Sequence, residues 1–156
     1  MKVTYGKGFS VAPQMSMRDK VYALEAAIVQ MPQVSAEVSH HFAPGLYARR
    51  VYLTAGAVYT GAVHKTEHLI MLAKGKVEIV TEDGTATFFA GDIITCKPGM
   101  KNAVCAIEDS IWANFFPTTE TDPEKLVELL TESKACELVG GSRNVQALNN
   151  AMKEVE

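Results

Sequence analysis

Between Met17 and Met31 the apolar residues Met17, Val21, Leu24, Ile28 and Met31 recur at spacings of three and four, the period of one face of a helix. Ser16, with Asp19 following in the first turn, predicts the start of that helix, and Pro32 predicts its end. From about Gly45 to Pro117 the texture changes to short runs rich in Val, Ile, Thr, Tyr and Phe, broken by Gly56, Gly61, Gly75, Gly84, Gly91 and Gly99. Turn-separated runs of this kind predict a β-sandwich or small barrel rather than alternating strands and helices. Glu82-Asp83-Gly84 is a predicted hairpin tip, because Asp-Gly supplies the positive φ angles of tight β-turns. Thr121-Asp122-Pro123-Glu124 opens a third zone, where a capping side chain, a first-turn proline and an acidic residue coincide. Leu126, Val127, Leu129 and Leu130 are the expected apolar face of the helix that follows. After Gly140-Gly141, Ser142 is the expected cap of a short amphipathic helix carrying Val145, Leu148, Met152 and Val155, lying on the barrel or reaching a partner chain.

Length turns these zones into one expected domain: 156 residues support a single core, divided as a helix and lead-in (15–44), a β-barrel (45–117) and C-terminal helices (121–156). An apolar share of 47% with 21% charged residues excludes intrinsic disorder. The net charge of −3 leaves no cationic excess for nucleic-acid phosphates or an anionic membrane face, so neither is an expected partner. No apolar run approaches a membrane span, and Met1–Ser10 lacks the apolar centre of a signal peptide. Cys96, Cys105 and Cys136 form no CxxC pair and are odd in number, which suits reduced thiols; the expected location is the cytoplasm. No Ser-His-Asp arrangement, Walker loop or dinucleotide glycine pattern is present, and no cysteine has a visible base beside it.

The chemistry concentrates in Gly61–Gly75, where His64 and His68 fall in a stretch read as strand. Strand alternation puts both imidazoles on one face, a beginning of transition-metal ligation, and turns Glu67 to the other face unless a bulge intervenes. Glu67 is thus a third metal ligand, an orienter of a histidine, or a surface charge. Tyr47, Tyr52 and Tyr59 line a pocket or pack in the sheet, and Trp112 is expected in a core strand. His40-His41, ahead of Phe42 and Pro44-Gly45, are expected in a loop, either an ordinary one or one that closes over the pocket or contacts a second subunit. Arg49-Arg50 either grip an anionic ligand, for which alternation lets at most one face a pocket, or lie on a solvated edge, which is the expectation for the pair.

In this region the chain resembles the cupin superfamily. The first cupin motif, G-x5-H-x-H-x3,4-E-x6-G, is met by Gly56, His64 and Gly75, with Ala62 at the first histidine and His68 at the glutamate. The second, G-x5-P-x-G-x2-H-x3-N, begins at Gly91 and has its second glycine at Gly99; Pro98 falls one place late, Asn102 takes the histidine position and Ala106 the asparagine position. The segments HHFAPGLYARR (40–50), GAVHKTEHL (61–69), KPGMK (97–101) and IEDSIWANFFPTTETD (107–122) resemble small cupin-like proteins of tailed phages and prophages. In that group a histidine, a natural extra ligand, stands just before the Pro-Thr, where this chain has Phe116.

The resemblance implies a mainly β fold, a cupin-type sandwich or jelly-roll barrel with an N-terminal helix and one or two C-terminal helices. It implies a phage-type protein, in a bacterial host's cytoplasm, that binds a small molecule, a divalent metal ion or both through His64 and His68. Tyr59 and Asn102 join them as candidate ligand contacts, and Glu67 as a candidate metal ligand. The implied cofactor is Zn, Fe, Mn or Ni, or none, and the implied assembly is a homodimer. The rival readings are a metal-dependent oxygenase or isomerase, and a phage structural or accessory protein that uses the barrel as a scaffold.

Overall fold

The computed structural model of the protein describes residues 14–154. Met1–Ser10 and Val155, on which two of the sequence readings rest, lie outside the described residues.

The first helix, α1 (Met17–Ile28), begins where its capping signal stands: the Asp19 N–H donates to the Ser16 hydroxyl at 3.1 Å. It ends short of Pro32. Of the expected apolar face only Val21 is buried, while Leu24 and Met31 stay exposed. The helix touches the barrel mainly at the third strand, along a strip too narrow to cover the whole stripe.

Among the described residues nine strands follow: β1 (Val38–Ala43), β2 (Leu46–Leu53), β3 (Val58–Thr60), β4 (His68–Lys74), β5 (Lys76–Thr81), β6 (Gly84–Phe89), β7 (Ile93–Cys96), β8 (Ala103–Ala106) and β9 (Ser110–Pro117). They form one sheet in the order β1-β2-β9-β4-β7 and a second in the order β3-β8-β5-β6, with every pairing antiparallel. This is the mainly β, helix-flanked sandwich that the resemblance implies. Strand structure starts at Val38 rather than near Gly45, so His40 and His41 lie in β1 and not in a loop. β1 is an edge strand, paired with β2 from Val38↔Val51 to Ala43↔Leu46 and largely exposed. A strand held by its neighbour's backbone needs no buried alternation to announce it.

Two turns show what the glycines do. The β5–β6 hairpin closes at Thr81↔Gly84 with Glu82 and Asp83 at its tip, and Gly84 has φ +120°. At Gly75, between β4 and β5, φ is +86° and a Cβ would run into the Ser110 hydroxyl and the Asp109 carbonyl, so any side chain is excluded.

The main core fills the space between the sheets. Val51, Ile70, Leu72 and Trp112 of the first sheet meet Tyr59, Val77, Ile79 and Val104 of the second, and Leu72, Val77 and Ala106 are wholly buried. A second cluster, Tyr47, Phe116, Leu126 and Leu130, joins the first sheet to α2 (Pro123–Leu130). The Asp122 carboxylate caps α2 by accepting from the Glu124 N–H at 3.0 Å. Leu126 and Leu130 are buried as expected, but Leu129 faces out. The last helix, α3 (Ser142–Lys153), has Gly141 and not Ser142 at its cap position, with no side chain capping it; it buries no residue. Gly141 is fixed there because a Cβ would collide with the Ala135 carbonyl. Among the described residues no helix is long and apolar enough to cross a membrane.

Candidate functional site: a histidine-lined cavity

Alternation along β2 puts Tyr47, Arg49, Val51 and Leu53 on one face, and all four line a cavity of about 140 Å³ between the sheets. The β2–β9 register sets Phe116, Asn114 and Trp112 opposite Tyr47, Arg49 and Val51, and Ile70 of β4 stands opposite Asn114. Tyr59 and Asn102 add the second sheet's side of the lining. Leu126 and Leu130 of α2, with Leu138 and Val139 beyond it, close the cavity. A second cavity of about 170 Å³ shares Cys96, Met100, Asn102 and Trp112 with the first.

His68 opens β4 opposite Cys96 of β7 and is 4% exposed. His64 does not share that strand, which corrects the alternation from which a common face was read; the stretch ahead of His68 is loop, touching strand geometry only in one bridge between His64 and Thr131. Three backbone hydrogen bonds pin the loop. The Gly99 N–H donates to the His64 carbonyl at 2.8 Å, the Lys65 N–H to the Leu130 carbonyl at 2.8 Å, and the Glu132 N–H to the Val63 carbonyl at 2.9 Å. The end of α2 and the 97–100 turn therefore hold His64 in place, and its ring lies 4.1 Å from that of His68, centroid to centroid, tilted by 42°. Phe116 stacks against both imidazoles, at 5.3 Å and 4.7 Å, and Tyr47 stacks on Phe116 at 5.8 Å.

These walls deprive the imidazoles of water without replacing its hydrogen bonds. His64 Nδ1 and both ring nitrogens of His68 are buried with no partner. Burial, with lesser contributions from His68 and Arg49, pushes the His64 pKa down to about 3. Burial lowers His68 as well; the Thr66 backbone and the Asn114 side chain oppose it in part, though neither completes a hydrogen bond to the ring. Both rings are neutral at pH 7, each with one acceptor nitrogen and one N–H.

The remaining candidates divide. The Tyr59 hydroxyl accepts from the Thr54 N–H at 3.0 Å, and the Asn102 side chain packs over Gly61. Glu67 is exposed and absent from the lining; no bulge turns it inward. Tyr52 also lies outside the lining. Tyr47 lines the cavity with its hydroxyl already hydrogen-bonded to His40 Nδ1 at 2.8 Å. The Cys96 thiol is on the lining too, and burial pushes its pKa up to about 11, which makes it a poor nucleophile.

Of the first sheet's contribution, sequence reasoning named Tyr47 and His68 and left open which of Arg49 and Arg50 could face a pocket. Arg50 faces outward and pairs with Glu37 at 3.8 Å, but Arg49 lies on the cavity face, which corrects the solvated-edge expectation for that residue. Phe116 was marked only as standing in place of the group's histidine, and Asn114 was invisible as lining, because only the β2–β9 register shows which face the two share.

The donor set does not suit a divalent metal. Among the described residues no group of three His, Cys, Asp or Glu side chains converges, and the two imidazoles have no carboxylate or third imidazole beside them. Zinc and its first-row relatives are generally held by three or four protein ligands.

No family model matches the chain, and no curated protein matches it. Similar solved structures are cupin-superfamily proteins. KdgF from Halomonas sp. aligns with a TM-score of 0.49 at 19% identity, over 58% of this chain and 87% of that one. A cupin superfamily protein from Desulfitobacterium hafniense gives 0.47 at 8% identity, over 59% and 85% of the two chains. The Cupin_2 domain of an XRE family transcriptional regulator from Enterobacter cloacae gives 0.47 at 10% identity, over 56% and 100%. Likeness at this level says nothing about what the chain binds or does.

Proposed function

We propose that the chain is a small-molecule-binding protein whose ligand sits inside the sandwich and hydrogen-bonds to the neutral imidazoles of His64 and His68. The observation that carries this reading is the set of three buried imidazole nitrogens without partners, facing a cavity walled by Phe116, Trp112, Ile70 and Val51. A buried polar atom left unpaired costs about 1–3 kcal/mol, and a ligand that supplies the missing donor or acceptor recovers part of that. A few polar groups converging in a mostly apolar cavity are the usual form of a small-ligand site. The phage-type grouping belongs to this proposal on its sequence segments alone. So does the homodimer, whose support is that Tyr22 and Leu24 of α1 and Val29 just past its end are exposed and α3 buries nothing.

Trp112, the single tryptophan of the chain, lines the cavity and reports on its occupancy. Benzyl alcohol, which has a ring for the walls and a hydroxyl for an imidazole nitrogen, is expected to change its fluorescence saturably and to bind about fivefold more tightly than toluene. His64→Ala should erase that preference. No saturable change with either compound would contradict the reading.

A further inference from the structure

A guanidinium withdrawn from water is costly unless its charge and its donors are met. Arg49 uses one N–H, which donates to the Val139 carbonyl at 3.1 Å. Among the described residues no carboxylate lies within ion-pair distance of it, whereas Arg50, on the opposite face of the same strand, has Glu37. The planar fork of Arg49 therefore stands on the cavity wall with donors to spare. Opposite it in β9 is Asn114, 8% exposed, whose Oδ1 already accepts from Trp112 Nε1 at 3.2 Å and whose amide N–H groups remain as a second source of donors. Around this pair the wall is Tyr47, Val51, Ile70 and Phe116, and a cavity near 150 Å³ holds a benzene-sized body. Lys97, the other cation on the lining, is exposed, whereas Arg49 is partly buried and burial lowers its pKa.

Resting on the reading of this cavity as a ligand site, we infer that the ligand is a small monocarboxylic acid with a ring-sized apolar body, its carboxylate on Arg49 and Asn114 and its body against Phe116 and Ile70. Arginine suits this role because its two parallel N–H groups match the two oxygens of a carboxylate. The neutral histidines meet a hydroxyl or amino substituent on that body and add no competing charge; benzoate, which lacks one, probes the carboxylate arm alone.

The test compares benzoate, benzamide and benzyl alcohol by Trp112 fluorescence at pH 7, in the unmodified protein and in Arg49→Gln and Arg49→Lys, with a thermal melt to establish that each variant folds. Benzoate is expected to bind ten- to a hundredfold more tightly than benzamide, since hydrogen bonds to charged groups are the stronger ones. Arg49→Gln should remove that preference, lowering benzoate affinity far more than that of benzyl alcohol, which carries no charge for the guanidinium to meet. Arg49→Lys, which keeps the charge but not the fork, should retain a part of it and serves if the glutamine variant does not fold. Benzyl alcohol binding with no preference for benzoate, or a preference that survives Arg49→Gln, overturns the carboxylate assignment and leaves the cavity reading standing. Binding of none of the three overturns both.

Discussion

The fold accommodates the buried His64 ring only while it is neutral. In the unfolded chain it takes up a proton near pH 6.5, but in the folded protein burial holds that event down to about pH 3. Between those values the unfolded state binds more protons, so the contribution is fully present above pH 6.5 and is lost as pH falls toward 3. By pH 5 the loss from His64 is about 2 kcal/mol, with His68 acting in the same direction. Urea midpoints measured from pH 7 to pH 5 should therefore fall steeply in the unmodified protein and much less in His64→Gln; parallel curves would contradict a buried neutral ring. Gly75 makes a second residue-scale case. Gly75→Ala places a Cβ against the Ser110 hydroxyl and the Asp109 carbonyl at positive φ, and should cost more than about 2 kcal/mol. Gly84→Ala, also at positive φ but with nothing near its Cβ, should cost less, by the same denaturation measurement.

At the scale of elements, α1 is held to the barrel by one ion pair in a half-buried network. Lys101, 3% exposed, donates from Nζ to Glu25 Oε2 at 2.5 Å and to the Gly61 carbonyl at 2.8 Å, and lies 4.8 Å from the Tyr22 ring centroid. Thr60 donates to the same carboxylate at 2.6 Å, and Arg18 donates to the Gly99 carbonyl. Glu25→Gln leaves the buried ammonium without its counter-charge and should destabilise by about 1–3 kcal/mol. Amide hydrogen exchange across α1 should speed up before the barrel does; uniform protection would show that the helix does not depend on this pair. None of this was legible in the sequence, because Glu25 and Lys101 are joined only by the fold. What was legible were local signals: the Ser16 and Asp122 caps, the Asp83-Gly84 turn and the strand texture beyond Gly45. Edge strand β1 was not, since its pairing is supplied by β2 and its side chains carry no alternation. His64 and His68 were correctly noticed as neighbours for a reason that does not hold: a loop folded back by Leu130, Glu132 and Gly99 brings the rings together, not the alternation of a strand. Arg49 was misjudged because a strand's two faces look alike until its register is known.

At the scale of the molecule, α2 makes the open end of a two-sheet sandwich into a wall, with Leu126 and Leu130 meeting Tyr47 and Phe116 over the histidines. Leu126→Ala should therefore cost about 2–5 kcal/mol in stability and also weaken ligand binding, which fluorescence titration and denaturation together would register. The proposed homodimer predicts twice the 156-residue mass in light scattering, falling to one chain's mass on Val29→Glu with Leu24→Glu. A single-chain mass for the unmodified protein would end that proposal.

The most direct test is a long-range ¹H–¹⁵N spectrum of the imidazole nitrogens, recorded at pH 7 with and without benzyl alcohol. The expected result is two neutral rings, His64 and His68, whose nitrogens shift saturably as the probe enters while those of His40 and His41 stay put. Rings that titrate near pH 6.5 and ignore the probe up to its solubility limit would mean that no sealed, ligand-accepting histidine pair exists.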